Sequence, residues 1–482
     1  MVSSDCEPVR LPRERRLKLL ALICIVYFTT CGGPFGLEPL VGAVGPGWTV
    51  VLLVVMPLVW SAPLALMVAE LATRMPDEGG YYVWVKRTMG PFWGVQEAWW
   101  TMGYSIALLA IFPVLFVSYL DFLIPGFGLS ADPAHAARGA AIRWLAAVAV
   151  IVSATAVNLR GAKNVGRWAK FGAAFVTGAF ATMVLAWVHR GPPMSGVTHL
   201  VRSDLAGNHR GALLLGLSVI VFNFSGWDNV STYAAEVDEP QRNYPRAVLG
   251  ALAIVVLSYL LPVIAGLSVT TDPANWTAEA GWPVIASLIG GRWLGTLISV
   301  AGLVSMWELF GAQLLYVSRL PYVLALDAWL PRTFANFSTG AGAPRTAILW
   351  LCGLTALFAG FSFGGLAVIQ GVLYTGALTL ELIALILVRK KKVSAPGCFL
   401  VPGGRWGLAY VCVAPMIVAA GVLAATLRDG GSYPNQLLVV GGVAASGIAI
   451  YLLRRRGAAR LTAERGDERR ADSEKNAARE NA

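Results

Sequence analysis

The sequence has the composition of a membrane protein. It contains 482 residues, of which 56% are hydrophobic and only 13% are Asp, Glu, Lys or Arg, and its formal net charge is +11. A soluble domain carries roughly 25% charged residues, so this chain has too little charge to cover a soluble surface. The composition excludes a soluble enzyme, a DNA-binding factor and a disordered scaffold. It leaves a polytopic membrane protein with room for about a dozen spans of about 20 residues.

Apolar runs predict an all-α fold with twelve membrane-spanning helices. A short helix outside the spans is predicted at 281–290, and an interfacial helix at 81–88 precedes the third span. The predicted spans are 17–46, 48–73, 91–121, 141–158, 166–188, 210–235, 245–269, 293–319, 346–361, 365–388, 406–427 and 434–453. Together they form one membrane domain over 17–453, preceded by an N-terminal segment at 1–16 and followed by a polar, disordered tail at 454–482.

Lysine and arginine indicate the orientation of these spans. With twelve spans and a cytoplasmic N-terminus, 31 of the 38 Lys and Arg residues fall in cytoplasmic segments and 7 fall outside. Because cytoplasmic loops are enriched in Lys and Arg, both termini are predicted to lie in the cytoplasm, with the protein in the plasma (inner) membrane. The positive net charge therefore comes from cytoplasmic segments that lie beside the lipid headgroups. No nucleic-acid partner is expected.

Two of the predicted spans contain sequences that interrupt a helix. Span one carries Cys-Gly-Gly-Pro-Phe-Gly at 31–36, and three glycines with a proline do not sustain a continuous helix. Span six carries Asn-Phe-Ser-Gly-Trp-Asp at 223–228. A break in mid-membrane persists where the freed backbone groups line a cavity. The breaks are five spans apart, an odd number, which predicts a 5+5 inverted repeat over about 17–190 and 208–390, followed by two C-terminal helices at about 406–453.

The breaks predict a site for a small solute that carries an amine, with or without a carboxylate. The outer half of span one begins after Gly36 with free backbone N–H groups, which attract an anion. The outer half of span six ends near Phe224 with free carbonyl groups, which attract an ammonium. The alternative is that both breaks are kinks for helix packing. The predicted substrate-binding residues are Gly32, Gly33, Phe35, Gly36, Glu38, Asn223, Phe224, Gly226, Trp227 and Asp228.

Four of these side chains have a specific predicted role. Phe35 and Trp227 each adjoin a break, where an aromatic ring attracts an ammonium through a cation–π interaction. Asp228 either pairs with the substrate ammonium or caps the inner half of span six. Glu38 is either a ligand or proton carrier, or a first-turn partner of the helix dipole.

Other charged residues at membrane depth are candidates for coupling or gating, since acidic groups there are costly. Glu236 lies near Arg242 and Arg246 in the sequence, which favours a structural salt bridge for it. Glu70 and Arg74 are four residues apart and are expected to pair with each other. The predicted coupling or gating residues are Glu97, Glu236, Trp307 and Glu308.

At these residues the chain resembles the amino acid–polyamine–organocation (APC) superfamily of secondary transporters. Within it, the chain is most similar to the branch of plant-type polyamine uptake and L-type amino acid transporters. The resemblance implies a twelve-helix inverted-repeat permease that works by alternating access and takes up a polyamine or an amino acid with protons. The matching motifs are Gly-Gly-Pro-Phe-Gly-Leu-Glu at 32–38 and the segments 69–81, 90–96, 112–116, 227–228, 235–247 and 318–331.

The sequence departs from this superfamily in two places. The stretch at 106–111 in span three is uncharged, whereas plant-branch members carry an acidic residue there. The missing carboxylate weakens the case for a polyamine substrate. The segment 175–177 in span five lacks the lysine that replaces sodium in many amino-acid members. Polyamine and amino acid therefore both stay open as substrates, and an amino-acid exchanger of the same fold is the main alternative to proton-coupled uptake.

Two further classes are remote alternatives. A nutrient receptor with a transporter fold would differ only in moving no cargo. A polytopic membrane enzyme would need a cluster of metal ligands, and all four histidines fall in predicted outer loops without a His-x-x-x-His pair. We therefore expect a transporter that is not an enzyme and that has no cofactor and no bound metal. Its expected coupling ion is H⁺.

Overall fold

The computed structural model of the protein is helical over the residues that it describes. These are 17–127, 133–191, 210–276, 281–338, 342–359, 363–391, 397–429 and 437–457. The predicted N-terminal segment at 1–16 lies outside them. The predicted disordered tail at 454–482 also lies outside them except for 454–457, which belong to a helix. Within the described ranges, the backbone pairs as β-structure only in isolated bridges such as the one between Leu17 and Val237.

The helices are named here in chain order. They are α1 (Leu19–Thr30), α2 (Glu38–Arg74), α3 (Gly80–Met89), α4 (Pro91–Leu123), α5 (Pro133–Asn158), α6 (Ala162–His189), α7 (Arg210–Asn223), α8 (Pro240–Leu267), α9 (Gly281–Gly290), α10 (Arg292–Val317), α11 (Arg319–Leu326), α12 (Arg345–Phe358), α13 (Phe363–Lys390), α14 (Gly404–Asp429) and α15 (Leu437–Gly457). A 3₁₀ helix at Asn229–Glu236 follows α7.

The described residues contain nine helices that are long and apolar enough to cross a membrane. Three shorter apolar helices accompany them, namely α1, α9 and α12. The apolar composition of each long helix explains why apolar runs in the sequence located them. The predicted short helices at 281–290 and 81–88 are present as α9 and α3, and several α3 side chains, including Tyr82 and Trp84, are buried.

The predicted boundary between spans one and two is a kink and not a loop. The helix α2 runs for 37 residues, and within it Gly45 leaves the helical conformation, with φ 80° and ψ 166°. Pro46 follows directly and cannot donate a backbone hydrogen bond at this point. The predicted spans one and two therefore share the helix α2, with Glu38–Val44 before the kink and the rest of α2 after it.

One end of the bundle collects basic side chains, and it is called the basic face below. Arg74 at the end of α2 and Arg389 near the end of α13 both contact Glu70, at 3.0 Å and 2.5 Å. The predicted pairing of Glu70 with Arg74 is thereby confirmed. On the same face, Arg319 begins α11 and pairs with Glu236.

The central helix α4 places polar side chains inside the bundle. It is 33 residues long and packs extensively along α13 and α10. Its buried face includes Glu97, Thr101, Tyr104 and Tyr119. Any functional chemistry on this face is therefore directed at the interior and away from lipid.

Candidate functional site

The first helix break follows α1 at Cys31–Leu37. The backbone angle φ is 64° at Gly32, 105° at Gly33 and 89° at Gly36. Residues with a Cβ atom rarely adopt these values. A Cβ on Gly32 would also lie 2.8 Å from Leu309 and Ser305 of α10. The glycines therefore let the chain reverse direction while pressed against α10, and the predicted break is confirmed as a structural feature.

Glu38 occupies the helix start that follows this break. Its Oε2 accepts a hydrogen bond from the backbone N–H of Gly36 at 2.6 Å, and its Oε1 accepts one from the hydroxyl of Tyr119 at 3.0 Å. The side chain is fully buried. Of the two roles predicted for Glu38, these contacts favour that of a first-turn partner of the helix dipole. Its carboxyl group already accepts from the Gly36 N–H, which was expected to be open to a ligand.

The second break lies between α7 and the 3₁₀ helix, at Phe224–Asp228. Gly226 has φ 99°, and a Cβ on it would lie 2.2 Å from the carbonyl oxygen of Thr29 in α1. The side-chain amide of Asn223 donates to the carbonyl of Gly36 at 3.0 Å. The two breaks therefore contact each other directly, which is expected if they form one site.

A small cavity lies where the breaks meet α4, α10 and α13. About 40 Å³ is open to the centre of a water-sized sphere, which is room for about three waters. Four predicted site residues line it: Phe35, Gly36, Asn223 and Gly226. Further lining residues are Thr29, Thr30, Cys31, Tyr104, Leu108, Phe112, Leu115, Phe222, Ser225, Asn229, Met306, Leu309, Gln313, Gln370 and Tyr374. None of these lining residues, all within the described ranges, is Lys, Arg or His.

Two polar side-chain atoms of this cavity have unmet hydrogen-bonding capacity. Thr30 Oγ1 and Gln313 Oε1 are buried and lack a partner within the described residues. The Gln313 amide donates to the carbonyl of Thr29 at 3.2 Å, which fixes its oxygen as the free end. Phe35 contributes an aromatic surface, held edge-to-face by Tyr119 and Phe180 with ring centroids 5.0 and 5.2 Å away.

Six predicted site residues are not among those that line the cavity. Trp227 is fully buried, and its indole N–H donates to the carbonyl of Phe224 at 2.8 Å. The indole therefore satisfies a carbonyl that was predicted to attract the substrate, and the prediction that Trp227 faces the substrate does not agree with this conformation. The others outside the lining are Gly32, Gly33, Glu38, Phe224 and Asp228.

Asp228 lies just behind the cavity wall. Its Oδ1 accepts a hydrogen bond from the hydroxyl of Tyr374 at 3.2 Å, and its Oδ2 is buried without a partner in the described part of the chain. Tyr374 and Tyr104 line the cavity and meet edge-to-face at 5.3 Å. Both tyrosines carried only weak signals in the sequence, because their relevance depends on the packing of α4 against α13.

The predicted coupling residues occupy four different environments. Glu97 is buried in α4, where it accepts from Thr101 at 2.9 Å. Glu236 pairs with Arg319, so the expected salt bridge exists but not with Arg242 or Arg246. Trp307 is partly exposed on the outside of α10 and donates to Ser153 at 2.9 Å, away from both breaks.

Glu308 is buried in the middle of α10 and faces α6. A Cβ on Gly172 would lie 2.7 Å from its Cγ, so the absence of a side chain at that glycine makes room for the carboxyl group. Glu308 also acts electrostatically on Cys24 of α1. It therefore sits where α1, α6 and α10 meet.

Comparison with known proteins agrees with this architecture. Residues 17–444 match the amino acid permease family. The chain belongs to that family. This permease is 32% identical to a polyamine transporter of Arabidopsis thaliana over 416 residues, which cover 86% of this chain and 81% of that protein. It is 33% identical to a polyamine transporter of Oryza sativa subsp. japonica over 411 residues, covering 85% of this chain and 74% of that protein. An uncharacterized transporter of Mycobacterium tuberculosis is 28% identical over 390 residues, covering 78% and 83%.

These relatives confirm the resemblance predicted from the sequence motifs. The permease is a multi-pass membrane protein and a transporter, and it is not an enzyme. Its substrate belongs to the small molecules that this family moves.

Proposed function

We propose that this permease imports polyamines across the plasma membrane by alternating access. In this proposal it has twelve spans with both termini in the cytoplasm, and its first ten spans form an inverted repeat. Helix breaks at corresponding positions, after α1 and after α7, support the repeat. The excess of Lys and Arg on the basic face supports placing that face in the cytoplasm.

The observation that carries the choice of a polyamine is the position of Glu38. An amino acid would use the helix start after the first break to bind its carboxylate. In this chain the Glu38 carboxylate already accepts from the Gly36 N–H, at 2.6 Å. A substrate carboxylate would find that N–H already occupied, whereas a polyamine has no carboxylate and needs no such donor. The two plant relatives named as polyamine transporters support the same choice.

The cavity lining supports an ammonium group as the guest. An ammonium has three N–H donors and no acceptor. Thr30 and Gln313 offer buried oxygens that lack a donor within the described residues. Phe35 contributes its aromatic ring to the same lining, and a cation over the face of such a ring gains about 0.5–2 kcal/mol. The lining residues carry no cation that would repel this guest.

The size of the cavity supports alternating access. A volume of about 40 Å³ is too small for a polyamine, so the site must widen before it can hold one. Transport therefore requires α1 and the 3₁₀ helix at Asn229–Glu236 to move relative to α4, α10 and α13. The segments at the breaks are suited to this movement, because their glycines hold conformations outside the helical region.

We further propose H⁺ as the coupling ion, with Glu308 as the proton carrier. This carboxyl group is buried among three helices, two of which flank the first break. A carboxyl group binds and releases protons without any metal site. Since α1 and α10 both border the cavity, a charge change at Glu308 would act on the helices that must move.

The test is uptake of labelled spermidine into proteoliposomes that contain the purified permease, with and without an inward proton gradient. We expect uptake that the gradient drives and that an excess of unlabelled amino acids does not inhibit. Amino-acid uptake without spermidine uptake would overturn the polyamine proposal. Movement only by exchange against internal amino acid would favour the exchanger. Binding of spermidine without any movement would favour a receptor.

A further inference from the structure

Three buried carboxyl groups lie together on the side of the cavity that faces the basic face. They are Glu97 of α4, Asp228 of the second break and Glu381 of α13, exposed by 0%, 1% and 1%. Each acts electrostatically on at least one of the others. Each also has one buried oxygen without a hydrogen-bond partner in the described ranges.

Nothing among the described residues neutralises this cluster. The ion pairs found there include none of the three carboxyl groups. Ionising carboxyl groups that are buried without a partner is costly, since the charges lose their hydration and repel one another with little screening. A cation with several donors would relieve both costs at once.

The hydroxyl of Tyr81 provides an independent sign of a missing ligand. Tyr81 belongs to α3, is fully buried, and its hydroxyl has no partner among the residues that the structure describes. Burial raises its pKa well above the usual value, and the nearby Glu97, Asp228 and Glu381 raise it further. An unpartnered hydroxyl thus lies within electrostatic reach of all three carboxyl groups.

The helix register places this cluster at a defined distance from the cavity. Tyr104 of α4 contacts Tyr374 of α13, and Glu97 and Glu381 are each seven residues from their tyrosine. Seven residues are two helical turns, or about 10 Å along the axis. Because α4 and α13 run in opposite directions, the glutamates face each other one level below the tyrosine pair, toward the basic face. Asp228, which accepts from Tyr374, lies between that level and the cavity.

We propose that Glu97, Asp228 and Glu381 form a second cation site, which binds one terminal ammonium of a polyamine while another amine of the same molecule lies in the cavity. The three free carboxyl oxygens match the three donors of a primary ammonium. This inference rests on the proposed polyamine substrate and adds a rule for its length. The two levels are about 10 Å apart, so only a long polyamine reaches both.

Extended chain lengths convert this geometry into a prediction. Nine bonds separate the terminal nitrogens of spermidine and of 1,8-diaminooctane, and an extended chain covers about 11 Å over nine bonds. Five bonds separate the nitrogens of putrescine, which cover about 6 Å. Spermidine reaches both sites at once, whereas putrescine occupies one.

The test uses α,ω-diamines of four to ten methylenes as inhibitors of labelled spermidine uptake into proteoliposomes. For the wild-type permease we expect inhibition to strengthen about tenfold or more between four and eight methylenes. The isosteric variants Glu97→Gln and Glu381→Gln should remove that step and raise the KM for spermidine by about tenfold, which corresponds to 1.4 kcal/mol. Their KM for putrescine should change less than about twofold, a change worth about 0.4 kcal/mol.

The matched control is Asp272→Asn, an exposed carboxyl group that only caps a 3₁₀ turn through Ala274. It should keep the wild-type dependence on chain length. A smooth increase in wild-type inhibition with each methylene, unchanged by Glu381→Gln, would overturn the second site and indicate apolar contact alone. Equal effects of both variants on all diamines, with a lost response to the proton gradient, would overturn it in favour of a proton site. Absence of any polyamine uptake by the wild type would instead overturn the proposed function.

Discussion

Arg319 and Glu236 form a buried ion pair that joins α11 to the end of the 3₁₀ helix that follows the second break. Glu236 Oε1 accepts from Nε of Arg319 at 2.8 Å and from Nη2 at 2.6 Å, and both side chains are essentially unexposed. The backbone carbonyl of Glu236 also accepts from the N–H of Leu17 at 2.8 Å, so the segment before α1 is tied to the same residue. The pair therefore closes the basic face of the permease below its cavity.

Replacing Arg319 should destabilise the protein strongly. The substitution Arg319→Gln leaves Glu236 buried without its cation, and breaking a buried pair costs about 3–5 kcal/mol. We expect a large drop in the melting temperature of the detergent-solubilised permease. The double variant Arg319→Gln/Glu236→Gln should recover much of the loss, because it removes the uncompensated charge. A double variant as unstable as the single one would contradict this account.

Glu78 should make stability depend on pH. It lies in the loop after α2, is nearly unexposed, and both carboxyl oxygens lack partners in the described ranges. Burial and then the charge of Glu236 raise its pKa to about 8, although Arg319 opposes this. Because the folded state holds this proton more tightly than the unfolded state, its stabilising effect is present at low pH. The effect is lost as the pH rises from about 4.5 to about 8.

The measurement is the melting temperature between pH 5 and pH 8. For the wild type the Glu78 contribution should decline by at most about 1.4 kcal/mol per pH unit. The variant Glu78→Gln cannot ionise and should flatten this decline. An unchanged slope in that variant would assign the pH dependence to other groups.

The sequence predicted the helix breaks more accurately than it predicted the side chains around them. Glycine and proline restrict the backbone locally, so Gly32, Gly36 and Gly226 were recognisable from their neighbours alone. The direction of a side chain depends on the whole fold. Trp227 adjoins a break in sequence, yet its indole turns to the Phe224 carbonyl and not to the cavity.

Sequence spacing could not predict which side chains contact residues that are far away in the chain. Glu236 was expected near Arg242 or Arg246, but Arg319, 83 residues away, is its partner. The pairing of Glu97 with Glu381 likewise depends on the register of α4 against α13. Matching seven-residue spacings to Tyr104 and Tyr374 could have suggested this register only after the two helices were known to be neighbours.

Removing the Glu38 side chain should create an anion site. In Glu38→Ala the N–H of Gly36 and the hydroxyl of Tyr119 lose their acceptor. A free amino acid can supply a carboxylate to both, and a charged hydrogen bond is worth about 1.5–3 kcal/mol, or tenfold or more in affinity. We expect amino acids to inhibit residual spermidine uptake, or to stabilise the protein against heat, in this variant but not in the wild type. The Tyr119→Phe variant, which keeps the carboxylate, is the control and should gain no such response.

A side chain at Gly226 should separate the two breaks. In Gly226→Ala the new Cβ would lie 2.2 Å from the Thr29 carbonyl, and φ of 99° adds strain of about 1–3 kcal/mol. Uptake should fall below detection, and the melting temperature should drop. The matched control is Gly353→Ala in the exposed middle of α12, where no atom lies within 4 Å of the added Cβ. Equal behaviour of the two variants would contradict direct contact between the breaks.

Glu308 distinguishes coupled uptake from exchange. In Glu308→Gln the group at the junction of α1, α6 and α10 keeps its shape but can no longer bind and release a proton. Net spermidine uptake driven by a proton gradient should therefore be lost. Exchange of external labelled spermidine for internal unlabelled spermidine should continue. In exchange the transporter changes conformation with spermidine bound in both directions, so no separate proton step is needed. If the variant still accumulates spermidine in response to the gradient, the proton carrier is another group. Loss of exchange together with net uptake would instead indicate that Glu308 supports the structure of the closed state.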